Sequence, residues 1–468
     1  MPELHTLTAT DLAAQIRGGH LSAREVMAAH LARIEAVNPR LNAIVTLHAE
    51  QAMQAALQAD EAQARGAALG PLHGLPVAHK DLLLTKGMRT TYGSKVHENF
   101  VPDRSALVVE RQQEAGAISI GKTNTPEFGA GSQTFNAVFG ATPNPWDLSL
   151  TCGGSSGGAA VALAAGMVAL ADGTDMGGSL RCPANFCNVV GLRPSPGRVP
   201  QWPAQDAWSV LSVTGPMART VQDLALYLSV MAGPDSRDPK SLQDAGAAFR
   251  QPLERDFKGV RVAFTPDLGG LPVDPEVRAI LEAQRQRFED LGCIVEDTAP
   301  DLSGAAEIFM TLRALDFELR LGPVMDAHPG VLKDTVVWNI EQGRALTGPQ
   351  VARAYKLRTA LFERMQRFMQ DYEFILCPVN QVPPFAVEQP YVTEINGVRM
   401  DNYIDWMRSC FAITATTHPA MSVPCGFTPA GLPVGLQIVG RARDDLGVLQ
   451  LGHAFEQLAQ AGQRRPPL

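Results

Sequence analysis

Gly153-Gly154-Ser155-Ser156-Gly157-Gly158 leads straight into a run of small apolar residues, Ala159–Ala165, and a second glycine-rich turn, Asp175-Met176-Gly177-Gly178-Ser179, follows it. Glycine lets one stretch of backbone approach another, and a helix opening on such a loop leaves N–H groups pointing outward. The helix predicted here covers Gly158–Ala165. Upstream, the apolar strand Leu75-Pro76-Val77-Ala78 leads to Lys80. A lysine carried into a core by such a strand can lose its proton and act as a base. Each residue also has an ordinary reading. Ser155 and Ser156 could cap the helix, the default role of serine there and the one that suits Ser156. Ser179 could be a turn residue and Lys80 a surface lysine.

Strands and helices alternate around these loops. Ser22-Ala23-Arg24-Glu25 is a capping box for a helix that Asn38-Pro39 should end, and Glu50–Ala68 reads as a second helix. Residues 71–220 are dense in Gly, Pro, Thr, Asn and Ser, with short strands such as Leu75–Ala78 and Ala117–Ile120. Loop-rich sequence of this kind is where sites are usually built. Residues 233–258 form a polar connection. Val260–Phe264, a helix capped by Asp274 with Pro275 at its first position, and Cys293–Val295 make a β-α-β passage. Helix dominates from Gly304 to Gln370, and strand returns at Phe374–Cys377, Ala420–Val423 and Val434–Val439. This alternation predicts an α/β layered fold. Residues 1–468 are expected to form a single domain, with its core at about 70–230 and a mostly helical part at about 233–370.

Two short patterns mislead. Gly116–Thr123 fits the phosphate-loop pattern GxxxxGK[ST], which needs a strand before the first glycine and a helix after the lysine. Val108–Ala115 is helix-like, Ile118 and Ile120 alternate as in a strand, and Pro126 blocks the helix. The serine pair also fits GxSxG, the nucleophile elbow, which must follow a buried strand. Here it follows the turn Asn144-Pro145-Trp146-Asp147 and the weak segment Leu148–Cys152, and no histidine (His328, His418 or His453) has a distinctive setting as its base.

The 468 residues carry a net charge of −8 with 6% aromatics and no basic cluster, which argues against nucleic acid or a membrane surface as partner. Met1–Leu12 lacks the basic-then-apolar pattern of a secretory signal. Ala159–Ala171 is too short to span a bilayer and reads as a buried helix. Seven scattered cysteines without a CxxC pair fit a reducing cytoplasm. No His or Cys shows metal-ligand spacing, so neither metal nor cofactor is predicted.

Taken together, the segments resemble the amidase signature family. Gly74-Leu75-Pro76 with Lys80-Asp81, Thr90–Ser94, Gly121–Asn124 with Pro126-Glu127-Phe128, and Asn144-Pro145-Trp146 come first. The glycine-serine stretch, Asp175–Arg181, Gly191–Ser195, Ser422-Val423-Pro424 and Gly431–Gln437 follow, in the family's order over roughly residues 20–460. The resemblance implies the amidase signature fold, a central mixed, twisted β-sheet covered on both faces by α-helices. It implies a Ser–Ser–Lys triad in which Ser179 attacks an amide carbonyl, Ser155 relays the proton and Lys80 is the final base. Main-chain N–H groups of Met176, Gly177, Gly178 and Ser179 would form the oxyanion hole. Asp175, Arg181 and Ser156 would hold the reacting groups in place, and the peptide bond before Ser155 would be cis. A free lysine has a pKa of about 10.4, so keeping Lys80 neutral at pH 7 demands about 4–5 kcal/mol from burial. His79 and Asp81 should face away by strand alternation.

Met176 stands where many relatives carry threonine, and Cys152 where a small residue or proline is common. Two rival functions accompany the resemblance. One is the A subunit of the glutamyl-tRNA(Gln) amidotransferase, a glutaminase that works with partner subunits. The acidic residue that holds the glutamine amine in that protein falls here on Met407, with Asp405 two positions off, which favours a free-standing amidase. The other is a catalytically silent binding protein on the same scaffold. The expected partner is a small-molecule amide, the expected assembly a homodimer, and the expected compartment the cytoplasm. Phe128–Gln133, residues 300–345 and Tyr403–Phe411 are the stretches from which an acyl pocket would be drawn.

Overall fold

Along each central strand, successive apolar side chains enter different cores. Val77 and Leu170 pack in one cluster while Ala78 and Ala171 pack in another, and Phe374 and Leu376 part from Ile375 and Cys377 in the same way. Strands buried on both faces require helices on both. The computed structural model describes residues 3–468; Met1 and Pro2, the start of the segment read for a secretory signal, lie outside the described residues.

Eleven strands make the main sheet among the described residues. In chain order they are β1 (Ile44–Leu47), β2 (Pro76–Lys80), β3 (Ile118–Thr123), β4 (Leu170–Asp175), β5 (Val190–Arg193) and β6 (Val213–Ala218). Then come β7 (Arg261–Phe264), β8 (Ile294–Asp297), β9 (Phe374–Pro378), β10 (Ala420–Phe427) and β11 (Pro433–Gly440). They lie side by side as β1-β3-β2-β4-β6-β5-β10-β11-β9-β7-β8. The sheet is mixed. β3, β2 and β4 run parallel, as do β9, β7 and β8, and the strands between are antiparallel.

Helices Val221–Met231 and Asp445–Ala459 cover the face shared by Val77 and Phe374. On the other face, helices Ala23–Leu41, Ala49–Ala64 and Gly157–Ala164 cover one end of the sheet. Helices Ala305–Ala327, Asp334–Arg344, Gly348–Asp371 and Arg408–Thr416 cover the other end of that face. None of the described helices is long and apolar enough to cross a membrane.

Three local expectations need correction. The helix opened by the Ser22 capping box runs through Pro39 to Leu41. Proline removes one N–H bond only, and Asn42 closes the helix with φ 45° and its N–H on the Asn38 carbonyl at 2.7 Å. The second helix spans Ala49–Ala64, short of Ala68. The Ala159–Ala171 run is not one helix: it breaks at Gly166, with φ 75°, and Leu170 already begins β4. Gly121-Lys122-Thr123 lies inside β3, as its alternation predicts.

Parallel β2 and β4 pair Val77 with Leu170 and Ala78 with Ala171. Their carboxyl ends therefore emerge side by side, the usual place for a site in an α/β sheet.

Candidate active site

Pro76, Ala78 and Lys80 share one face of β2, so Lys80 points toward the helix Gly157–Ala164. The side chain is fully buried. Its Nζ lies 2.7 Å from Ser155 Oγ, 2.9 Å from Ser156 Oγ and 3.0 Å from Thr174 Oγ1; the ammonium donates to all three, and the neutral amine accepts from Ser155 O–H. All three partners are neutral hydroxyls. Burial pulls the lysine pKa from 10.5 down to about 7, against the opposing pull of the Asp175 and Asp172 charges. His79 points the other way, with Nδ1 2.6 Å from Asp172 and Nε2 2.7 Å from Ser119 Oγ. Asp172 also accepts the Lys80 main-chain N–H at 2.8 Å, which fixes the strand end. Asp81 accepts from Thr91 and does not reach the amine.

The Gly154–Ser155 peptide bond is cis. Behind it the helix start is pressed against β3: a Cβ on Gly158 would lie 2.3 Å from Asn124 N and 2.7 Å from Ala43 O. Ser156 heads the helix but makes no capping bond. Its hydroxyl accepts from Lys80 and donates to the Thr174 carbonyl at 3.3 Å, so the cap expected of it is displaced by the amine. Thr134 Oγ1 and the Asn124 carbonyl take the first helical N–H groups instead, at 3.1 and 3.2 Å.

Ser179 ends the turn that leaves β4. Asp175 organises that turn: its carboxylate accepts Gly178 N–H at 3.0 Å, Leu180 N–H at 3.1 Å, and Arg181 Nε and Nη2 at 3.1 and 2.9 Å. Burial raises this carboxyl, but Arg181 and Arg193 outweigh it and hold the acid well below its usual range. Because Gly178 N–H is spent on Asp175, it does not face the cavity as the oxyanion expectation required. The N–H groups of Met176, Gly177 and Ser179 have no acceptor among the described residues. Ser156 N–H donates to the Ser179 carbonyl at 3.1 Å, which ties the two serine loops together. The Ser179 hydroxyl has no partner among the described residues; it lines the cavity beside Ser155.

That cavity holds about 600 Å³. Phe128, Gly129, Gly131, Phe309, Arg313, Phe317, Ile404 and Met407 come from the three stretches expected to form it. Leu82–Leu84, Tyr92 and the loop from Pro200 to Ser212 were not anticipated. Nor were Thr174, Asp172 and Arg193. One signal was available for the first two: Asp172-Gly173-Thr174-Asp175 is a polar run in a buried strand, and such groups must be paired. Among the described residues, no three His, Cys, Asp or Glu side chains converge as a metal site requires. A neutral amine on one hydroxyl, a second hydroxyl beside it and unspent N–H groups are equipment for attack on a carbonyl carbon.

A family model for amidases matches residues 25–449. The chain belongs to the amidase signature family. It is 37% identical over 469 residues to an acylamidase of Rhodococcus erythropolis, covering 99% of this chain and 98% of that one. It is 36% identical over 487 residues to the A subunit of the glutamyl-tRNA(Gln) amidotransferase from Synechococcus sp. (strain CC9605), covering 97% and 96%. Among solved structures, a bacterial aryl acylamidase of the amidase signature family superposes with a TM-score of 0.92 at 28% identity, over 98% of both chains. Membership makes this chain a hydrolase of amide C–N bonds.

Proposed function

We propose that Ser179, Ser155 and Lys80 are the catalytic residues, and that the enzyme converts a small-molecule carboxylic acid amide to the acid and ammonia or an amine. The carrying observation is the buried Lys80 amine, 2.7 Å from Ser155 Oγ with its pKa near 7. Neutral Lys80 draws the proton of Ser155, and Ser155 draws that of Ser179 as its oxygen bonds to the amide carbon. The resulting oxyanion sits against Met176, Gly177 and Ser179 N–H. The lysine proton returns through Ser155 to the leaving nitrogen, the C–N bond breaks, and an acyl-enzyme remains on Ser179. Water then attacks by the same proton route. The chain also requires the Ser179 hydroxyl, unpaired among the described residues, to close on Ser155 when substrate is bound, as catalytic hydrogen bonds often do.

Met407 lines the cavity where a glutaminase needs an acid, while Asp405 accepts from Arg408 Nε at 3.0 Å and is absent from the lining. This supports a free-standing amidase over an amidotransferase component, as does the acylamidase relative. Free, buried cysteines at all seven positions support a cytoplasmic enzyme; its assembly as a homodimer is checked by light scattering. The function is tested with a fluorophosphonate probe and a panel of amides. Ser179 should be labelled, and Ser179→Ala should lose both labelling and hydrolysis. Folded protein without labelling would favour the silent binding protein, and glutaminase activity that needs an added partner would favour the amidotransferase component.

A further inference from the structure

Arg313 is a cation in the cavity wall that the protein does not neutralise. It lies on the helix Ala305–Ala327 and is 7% exposed. Its Nε donates to Asn339 Oδ1 at 3.1 Å, Nη2 to Tyr403 Oη at 2.8 Å and Nη1 to Met176 Sδ at 3.2 Å. The Phe317 ring centre lies 4.4 Å from its Cζ. Every partner is uncharged, and no carboxylate among the described residues forms an ion pair with it. Of the acids on the same helix, Asp316 is the one that lines the cavity, and it is engaged by Arg320 through Nε at 2.8 Å and Nη2 at 2.5 Å. Asp206, at the rim, accepts from Trp208 and Ser209 N–H.

A guanidinium carries five N–H donors and cannot shed its charge. Three are spent, which leaves one on each terminal nitrogen, the pair that a carboxylate bridges with both oxygens. A buried charge held only by neutral groups is costly until a counter-ion arrives. We infer that Arg313 is a specificity-determining residue that binds a carboxylate carried by the substrate. The inference rests on Ser179 as the nucleophile of this cavity.

Met176 sets where that carboxylate lies. Its main-chain N–H faces the proposed oxyanion and its thioether sulfur touches Arg313, so one methionine side chain separates the two binding points. A short chain with the amide at one end and the carboxylate at the other spans that gap: the half-amide of a dicarboxylic acid. Beside Arg313, Met407 is apolar and Asp316 is paired with Arg320, which leaves Asp206 as the one lining carboxylate without an ion pair among the described residues.

The test compares kcat/KM for glutaramate and pentanamide, which match in length and differ in the terminal carboxylate. Wild type should favour glutaramate by about tenfold or more. Arg313→Met should lower that ratio by at least about tenfold, and Arg313→Lys, which keeps the charge but loses the planar fork, should fall between them. A wild-type ratio at or below unity, or a ratio unmoved by Arg313→Met, overturns the inference. If Arg313→Met does not fold, the wild-type ratio and the protection of Ser179 from the probe by glutarate against pentanoate decide it in the same sense. Labelling of Ser179 by a neutral fluorophosphonate separates the two claims. Labelling with a flat ratio removes the role of Arg313 alone; no labelling of folded wild type removes the nucleophile, and this inference with it.

Discussion

At the level of single residues, the behaviour of the site follows from the charge on Lys80. In the proposed mechanism the base, Lys80, must be neutral, so activity should belong to the deprotonated amine, present above a pKa of about 7. The kcat/KM profile should be level above that pH and drop by about tenfold per pH unit below it. An acid limb centred well away from pH 7 would exclude Lys80 as the titrating base. Stability carries the same sign. In the unfolded chain the lysine holds its proton up to 10.5, whereas in the fold it releases it near 7, so stability rises with pH across that window. Lys80→Met escapes the penalty, on the order of 4–5 kcal/mol at and below pH 7. The variant should be inactive, and its stability relative to wild type should be most favourable at pH 6–7 and shrink toward pH 10 in paired denaturant titrations. Lys80, Ser155 and Ser179 were legible because each stands in a short segment of recognisable order. Thr174 and Arg313 were not, because what matters in them is a contact made across the fold. Ser156 was misread for the same reason: nothing local says that an amine will take the hydroxyl a helix cap would use.

Among the elements, the helix Gly157–Ala164 and the turn after β4 hold the two serines, and both are set by close packing. Gly158 meets main-chain atoms of Asn124 and Ala43 where its side chain would be, whereas a Cβ on Gly348 at the start of its helix meets nothing within 4 Å. Alanine at Gly158 should therefore cost about 1–3 kcal/mol or more, with loss of activity, as the helix start is forced off β3. Alanine at Gly348 should stabilise by about 0.4–1 kcal/mol. Thermal denaturation of the two variants beside wild type checks the contrast; equal effects would contradict the packing argument. Asp175→Asn removes the one carboxylate shared by buried Arg181 and Arg193. Breaking a buried pair from one side costs about 3–5 kcal/mol. The turn bearing Ser179 should loosen with it, seen as lower stability together with lower kcat. The elements themselves were readable where local chemistry is strong: the Ser22 box, Pro275 behind Asp274, and the alternation in β3. They were misplaced where a single residue was given too much weight, as with Pro39, or where composition hid a break, as at Gly166.

Across the whole molecule the strand order is what no local pattern announces. Gly191 of β5 sits opposite Ser422 of β10, and Phe374 of β9 opposite Val262 of β7. Such pairings carry no local sequence signal because they are fixed by which apolar faces can be covered together. They also bear on how the chain comes apart. Residues 233–370, read from sequence as a mostly helical part, supply β7 and β8 to the same sheet and Phe309 and Arg313 to the same cavity. One apolar cluster runs from Ala9 through Val262 to Phe455. A boundary at the 233–258 connection would cut that cluster, and it would also part Met176 and Phe186 from the second cluster they share with Phe309 and Trp406, so neither piece keeps a whole core. We expect a single calorimetric endotherm, coincident with loss of helix by circular dichroism and of tertiary signal by tryptophan fluorescence. Protease nicking within 233–258 should leave the two pieces associated until denaturant is added. Two resolved transitions, or a nicked fragment that stays folded alone, would show two units. Arg313 would then be carried by a unit separate from the one bearing Ser179, and cavity and nucleophile would be free to move apart.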